Sequence, residues 1–198
     1  MKHLFKVFGV LVIAALVAAC VHHRVPAEAA LKAAEDAFAP IKAEAAKYVP
    51  DQAKAVEDAI AAARDTFAKG DYAAALTAAQ ALPAQIDELK TALATKKDQL
   101  MVAWKDMEGG LPKMVEAITS RLDILSKSKK LPKGLDKSAF DQAKVNYDSV
   151  KTLWSDATTA AGGGDLMAAI AKGTEAKTKA TEILSALGMQ APAAPTPK

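Results

Sequence analysis

The chain has 198 residues, 51% of them apolar, and its formal net charge of +3 is small for this length. A nearly neutral surface with mixed charges has no general electrostatic attraction for nucleic acid, so we expect no nucleic-acid partner. Alanine dominates the composition. Because alanine loses no side-chain entropy in a helix, the composition predicts an all-α protein.

The first segment has the layout of a secretory signal. Lys2 and Lys6 lie in a short basic head, and an apolar run follows from Val7 to Ala19. This run is shorter than the roughly 20 residues that a membrane-spanning helix needs. The sequence therefore predicts an export signal over residues 1–19, and its removal leaves a mature chain with a net charge of +1.

The end of this segment, Val17-Ala18-Ala19-Cys20, resembles the lipobox of bacterial lipoproteins. The resemblance implies a diacylglycerol in thioether linkage to Cys20, cleavage before it, and acylation of the new amino group, for example with palmitate. Cys20 is the only cysteine, so no intramolecular disulfide can form. The alternative is an ordinary secreted protein whose signal happens to end in cysteine.

The same resemblance implies a location in the bacterial cell envelope. Membrane attachment would run through the lipid on Cys20. Val21 follows it, in place of the aspartate that typically retains such proteins in the inner membrane. The resemblance therefore favours the periplasmic face of the outer membrane over the inner membrane.

Apolar residues at alternating spacings of three and four, from Leu31 to Tyr48, predict a first helix with one apolar seam. Pro40 should kink it. A second helix is expected to begin with Asp51 as its cap and to end at Gly70, which suits a left-handed C-terminal position.

A long third helix is predicted to begin after Asp71 and to end at Gly109-Gly110. A fourth follows Pro112. The lysines between residues 127 and 137 surround a proline and a glycine, and their default interpretation is a solvated loop, with a phospholipid headgroup contact as the alternative.

Ser138, with Asp141 three residues later, resembles a capping box and predicts the start of the fifth helix. Gly162-Gly163-Gly164 predicts a turn, and the sixth helix runs from its cap Asp165 to Gly188. The alanine-proline tail 189–198 has nothing to bury.

Two parts of the chain look duplicated. Asp51-Gln52-Ala53-Lys54 recurs as Asp141-Gln142-Ala143-Lys144, and Gly70-Asp71-Tyr72 aligns with Gly164-Asp165-Leu166. Chance similarity between alanine-rich helices is the alternative. The prediction is about six helices in two related three-helix units, packed as an antiparallel bundle or a short solenoid. The domain ranges are 1–19 for the signal, 20–26 for a lipidated tether, 27–108 and 109–188 for the units, and 189–198 for the tail.

Residues 68–76 resemble the turn between the helices of a tetratricopeptide repeat. The tryptophan-leucine-glycine pattern of that family is missing, and the chain has no 34-residue period. The closer likeness is to alanine-rich helical-hairpin lipoproteins of the bacterial envelope whose function is unknown. That likeness implies a helical architecture and no activity.

No arrangement of residues typical of a catalytic, metal or cofactor site is present in the sequence. The mature chain has two histidines, His22 and His23, beside the predicted anchor, and no third ligand is fixed near them. We therefore expect no catalytic residues, no metal, no cofactor and no enzymatic activity.

Trp104, Met107 and Trp154 are the one set of side chains that suggests a ligand site. Core packing is their default interpretation. The sharper hypothesis is an apolar groove between the two units. The function expected from the sequence is a non-enzymatic structural or adaptor module with a protein partner in the envelope. The alternative is a helical module that carries a lipid or another hydrophobic ligand.

Overall fold

The structure is a computed structural model, and it describes residues 23–190 of the chain. Within that range it contains six helices and no strand, which confirms the all-α prediction. The predicted signal 1–19, Cys20 and nearly all of the predicted tail lie outside the described residues. The helices are α1 (23–38), α2 (Lys42–Tyr48), α3 (Pro50–Ala68), α4 (Tyr72–Lys127), α5 (Lys137–Gly162) and α6 (Leu166–Ala186).

The chain forms two compact units that divide between Lys96 and Lys97. This division lies inside α4, earlier than the 108/109 boundary that the sequence suggested. The first unit contains α1, α2, α3 and the first part of α4. The second contains the remainder of α4 together with α5 and α6.

In the first unit, α1 and α2 are separated by a turn at 39–41 and together form an arm that runs antiparallel to α3. An Arg64–Glu35 ion pair joins α3 to α1, and Lys42 Nζ lies 2.6 Å from Glu57 Oε1 between α2 and α3. In each pair the two residues are nearly equidistant in sequence from Val49, which connects α2 to α3, as an antiparallel arrangement requires. Pro40, predicted to kink one helix, lies in a turn at 39–41 that separates two helices.

The second unit has a continuous apolar core among α4, α5 and α6. Ile118, Val150 and Leu184 are among its fully buried side chains. Arg121 is partly buried and donates from Nε and Nη2 to the Leu187 carbonyl oxygen, both at 3.3 Å. That contact occupies a carbonyl that the end of α6 leaves without a helical partner.

Three helices end on a glycine with positive φ; the sequence predicted this conformation at Gly70 and predicted the end of the sixth helix at Gly188. The φ values are +84° at Gly70, +79° at Gly164 and +70° at Gly188. Asp71, Asp165 and Met189 each donate their backbone N–H to a carbonyl five residues earlier, at 3.3, 2.8 and 2.8 Å. Each glycine N–H also bonds the carbonyl three residues back, so all three ends have the Schellman pattern.

The helix end predicted at Gly109-Gly110 is wrong, because α4 is continuous from Tyr72 to Lys127. Neither glycine has positive φ, and Pro112 lies inside the helix. A proline there removes one intrahelical hydrogen bond. Leu111 and Met114 on either side of it are buried, and we attribute the continuity to that burial. Six helices were expected and six are described, but one predicted helix is split and two others are fused.

Two predicted caps also differ. The N-cap of α5 is Asp136, whose Oδ1 accepts from Ala139 N at 2.7 Å, and Ser138 lies inside the helix. Asp51 is likewise inside α3, whose N-cap Val49 has no capping side chain. Pro50 at the first position fits this start, because that position needs no N–H donor. By contrast, Asp71 and Asp165 accept from the amides three residues on, at 3.1 and 3.0 Å, as predicted.

Candidate functional site

The first candidate site is the predicted lipid attachment at Cys20, which lies outside the described residues. What the structure describes is the chain just after it. Residues 23–26 of the predicted tether 20–26 lie in the first turn of α1, which begins at His23. Ala27, in the second turn of α1, is fully buried. The folded part of the chain therefore begins within a few residues of Cys20.

The start of α1 contacts the region where α3 passes into α4. The Arg24 guanidinium carbon lies 5.9 Å from the centroid of the Tyr72 ring. The Tyr72 ring in turn meets that of Phe67 edge to face, with centroids 5.0 Å apart and an interplanar angle of 62°. A cation over an aromatic face and an edge-to-face ring pair are both attractive interactions. They hold the start of α1 against the end of α3 and the start of α4.

Trp104, Met107 and Trp154, the residues of the predicted groove, lie in the second unit. The rings of Trp104 and Trp154 are stacked, with centroids 5.3 Å apart and an interplanar angle of 21°. Trp104 is only 4% exposed, whereas Trp154 and Met107 are partly exposed. The stack therefore joins α4 to α5 with one ring buried and the other at the surface.

Gly173 of α6 completes this cluster, although no prediction from the sequence included it. A Cβ atom built at Gly173 would lie 2.7 Å from Met107 Sδ and 3.8 Å from Trp104 Cζ3. Glycine therefore makes room for the Met107 thioether against α6. The available signal was its place in a seam of small residues at helical spacing, Ala169, Gly173, Ala176 and Ala180. Whether the tryptophans also bind an apolar ligand stays a prediction.

A shallow polar crevice runs along α5 in the same unit. Its charges are paired, with Lys151 Nζ 2.8 Å from Asp148 Oδ1 and Lys172 Nζ 2.8 Å from Asp156 Oδ2. The hydrogen bond to Asp148 raises the pKa of Lys151. Such exposed pairs stabilise a protein only slightly because water screens them. The crevice has the character of a solvated helix face.

The lysine-rich loop between α4 and α5 is exposed, as the sequence predicted. Lys127 pairs with Asp123 at 2.7 Å, and Lys137 pairs with Asp141 at 2.6 Å. Leu131 packs against the core of the second unit, which holds the loop down. The hydrogen bond from Lys137 lowers the pKa of Asp141.

Metal-binding groups and membrane-spanning helices are both absent from residues 23–190. That range contains no group of three or more histidine, cysteine, aspartate or glutamate side chains placed to hold a metal ion. None of the helices described there is long and apolar enough to span a bilayer.

Comparison of the chain with protein-family models, with curated proteins and with solved structures found no match.

Proposed function

We propose that this chain is a lipid-anchored protein of the bacterial cell envelope that acts as a non-enzymatic structural or adaptor module for a protein partner. The observation that carries the proposal is the sequence Val17-Ala18-Ala19-Cys20 after a basic and apolar segment. It is supported by the start of α1 at His23, which couples an anchor on Cys20 closely to a packed helical unit.

The distribution of exposed apolar side chains favours the second unit as the part that binds the partner. Isolated apolar side chains at a surface are ordinary, but several of them within one folded unit offer more apolar surface to a partner. Val102 is 62% exposed and Val145 is 64% exposed. Apart from Val25, the large apolar side chains that are exposed among the described residues all lie in the second unit: Met101, Val102, Ile124, Val145 and Met167.

Metabolic labelling with a palmitate analogue tests the anchor. We expect the wild-type chain to be labelled and recovered with the outer membrane, and Cys20→Ala to be unlabelled and recovered in the soluble periplasmic fraction. Unlabelled wild-type protein, or a mass showing a free Cys20 thiol, would contradict the proposal. Recovery with the inner membrane would correct the assignment of the membrane and leave the anchor in place.

Affinity capture from gently solubilised membranes tests the adaptor role. We expect one protein at near-stoichiometric yield, retained by Cys20→Ala and lost from Val102→Glu or Val145→Glu. The matched control is Ala55→Glu in the first unit, which is also exposed and should retain the partner. Capture unaffected by every charge substitution would contradict binding through the second unit. An enzymatic activity that the purified chain restores to deficient envelopes would refute the non-enzymatic role.

The second candidate function is transport of a lipid or another hydrophobic ligand. The specific observation in its favour is the stack of Trp104 on Trp154, whose outer ring is partly exposed. An apolar ligand that covered Trp154 would quench its fluorescence or shift it to the blue. Unchanged emission across phospholipids, fatty acids and hydrophobic peptides, with Trp154→Phe as the reference, would rule this candidate out.

A further inference from the structure

We propose that one end of the first unit is a membrane-contacting surface whose partner is the headgroup layer of a phospholipid bilayer. This surface, here called the proximal end, consists of Arg24, Val25, Phe67, Lys69 and Tyr72. The inference rests on the proposed lipid on Cys20 and adds to it the orientation of the first unit.

Cys20 lies only a short distance along the chain from the folded unit. Three residue steps separate Cys20 from His23, where α1 begins. At no more than about 3.6 Å per residue, these steps reach at most ~11 Å. Acyl chains on Cys20 would hold that residue at the bilayer surface, so the start of α1 must lie within about that distance of the headgroups.

The start of α1 cannot move away from its unit without losing contacts. Ala27 is fully buried, and Arg24 lies over the Tyr72 ring, which packs edge to face on Phe67. The end of α3 and the start of α4 are therefore held beside the first turn of α1. If that turn is at the membrane, these residues are there too.

The residue types at the proximal end suit a membrane interface. Phe67 and Tyr72 are only partly buried, Lys69 is exposed, and Val25 is 71% exposed. Tyrosine, whose ring is apolar and whose hydroxyl is polar, is enriched at the membrane interface, and an apolar ring such as that of Phe67 adds apolar area that lipid can bury. Cationic side chains there are attracted to anionic lipids. These residue types therefore suit the position at the bilayer surface that the short chain between Cys20 and α1 requires.

The end of the first unit opposite the proximal end, here called the distal end, contains the start of α3. The Arg64–Glu35 and Lys42–Glu57 pairs show that α3 runs antiparallel to the arm formed by α1 and α2. Pro50 at the start of α3 is therefore at the opposite end from Ala68. The 19 residues of α3, at ~1.5 Å each, separate those ends by about 28 Å.

The experiment measures how close two positions on α3 lie to the lipid headgroups. Ala68→Cys places a thiol at the proximal end, and Ala55→Cys makes the same change at an exposed alanine nearer the distal end. The lipidated full chain is purified from membranes, labelled with a thiol-reactive fluorophore, and reconstituted into phosphatidylcholine vesicles containing a minor fraction of lipid with a nitroxide on its headgroup. Circular dichroism checks that both variants keep their helix content.

Because the two positions are ~20 Å apart along α3, we expect headgroup quenching at residue 68 to be at least about threefold stronger than at residue 55. Equal quenching at the two positions would mean that the unit lies along the membrane, and this would overturn the inference. Quenching at neither position, or stronger quenching at residue 55, would overturn it as well.

The wild-type chain separates failure of the orientation from failure of the anchor. With its one thiol in a thioether, it should take up no fluorophore. Labelling of wild-type Cys20 would refute the lipid attachment and with it the proposed function. An unlabelled wild type combined with the wrong quenching pattern would refute the orientation alone.

Discussion

Replacement of the two glycines inside α4 tests the continuity of that helix. Neither Gly109 nor Gly110 has positive φ, and a Cβ added at either position meets nothing within 4 Å. Glycine inside a helix is about 1 kcal/mol less favourable than alanine, because glycine loses more backbone freedom on folding. The double substitution Gly109→Ala/Gly110→Ala should therefore stabilise the chain by about 2 kcal/mol.

Gly164→Ala is the matched control, since it makes the same chemical change in the same unit. At this position φ is +79°, although a Cβ would again meet nothing within 4 Å. An L-residue in the left-handed region costs roughly 1–2 kcal/mol, so this substitution should destabilise the chain by about 1 kcal/mol. The sign of the effect is thus decided by φ and not by space.

Urea unfolding of the mature chain carrying Cys20→Ser, followed by circular dichroism and by tryptophan fluorescence, measures both effects. With a slope of about 2 kcal/mol per molar urea, the double variant should raise the midpoint by ~1 M and Gly164→Ala should lower it by ~0.5 M. A lower midpoint for the double variant would show that the chain breaks at Gly109-Gly110. The two-helix interpretation of this region would then be correct and the continuous α4 would be wrong.

Three further predictions concern the second unit. Ile118→Ala should reduce the free energy of unfolding by about 2–5 kcal/mol in the same urea assay, because it leaves a cavity at a fully buried position; a loss below 1 kcal/mol would contradict the core position. Asp136→Ala should destabilise the chain by about 1 kcal/mol and Ser138→Ala by less than half of that, and the reverse order would restore Ser138 as the cap of α5. Lys137→Gln should raise the pKa of Asp141 toward its ordinary value of 3.8 in an NMR titration, and an unchanged pKa would disprove the pairing.

The direction of the pKa shift of Asp141 determines the pH range over which its pair with Lys137 stabilises the folded chain. The hydrogen bond to Lys137 lowers the pKa of Asp141 in the folded state. The resulting stabilisation is present above the pKa of the unfolded chain and is lost as the pH falls through the folded value. The stability difference between wild type and Lys137→Gln should therefore shrink in acid. Both side chains are exposed, so the difference is small at any pH.

Local chemistry accounts for the parts of the fold that the sequence predicted correctly. Alanine content and apolar spacing predicted helices throughout, and Gly70 with Asp71 predicted one helix end and the next helix start. These features depend on a few neighbouring residues: a glycine that accepts positive φ and a carboxylate that reaches the amide three residues on. The repeat of the same pair at Gly164 and Asp165 gave the same local geometry.

The prediction was wrong where packing outweighed a local preference. Gly109, Gly110 and Pro112 are helix breakers by propensity, yet buried neighbours such as Leu111 accompany an uninterrupted helix. Propensities of about 1 kcal/mol for glycine are small beside the burial of several large side chains. The reverse happened at Pro40, where the local preference split one predicted helix in two.

The sequence by itself determined the helical class, the glycine-aspartate turns and the candidate anchor at Cys20, because each depends on residues adjacent in the chain. Only the tertiary structure decided that Trp104 stacks on Trp154, that Gly173 makes room for Met107, and that Arg24 lies over Tyr72. These contacts join residues 48 to 66 positions apart, and no spacing rule within one helix brings such residues together. They arise from the way neighbouring helices bury their apolar seams against each other, which depends on the packing of the whole unit.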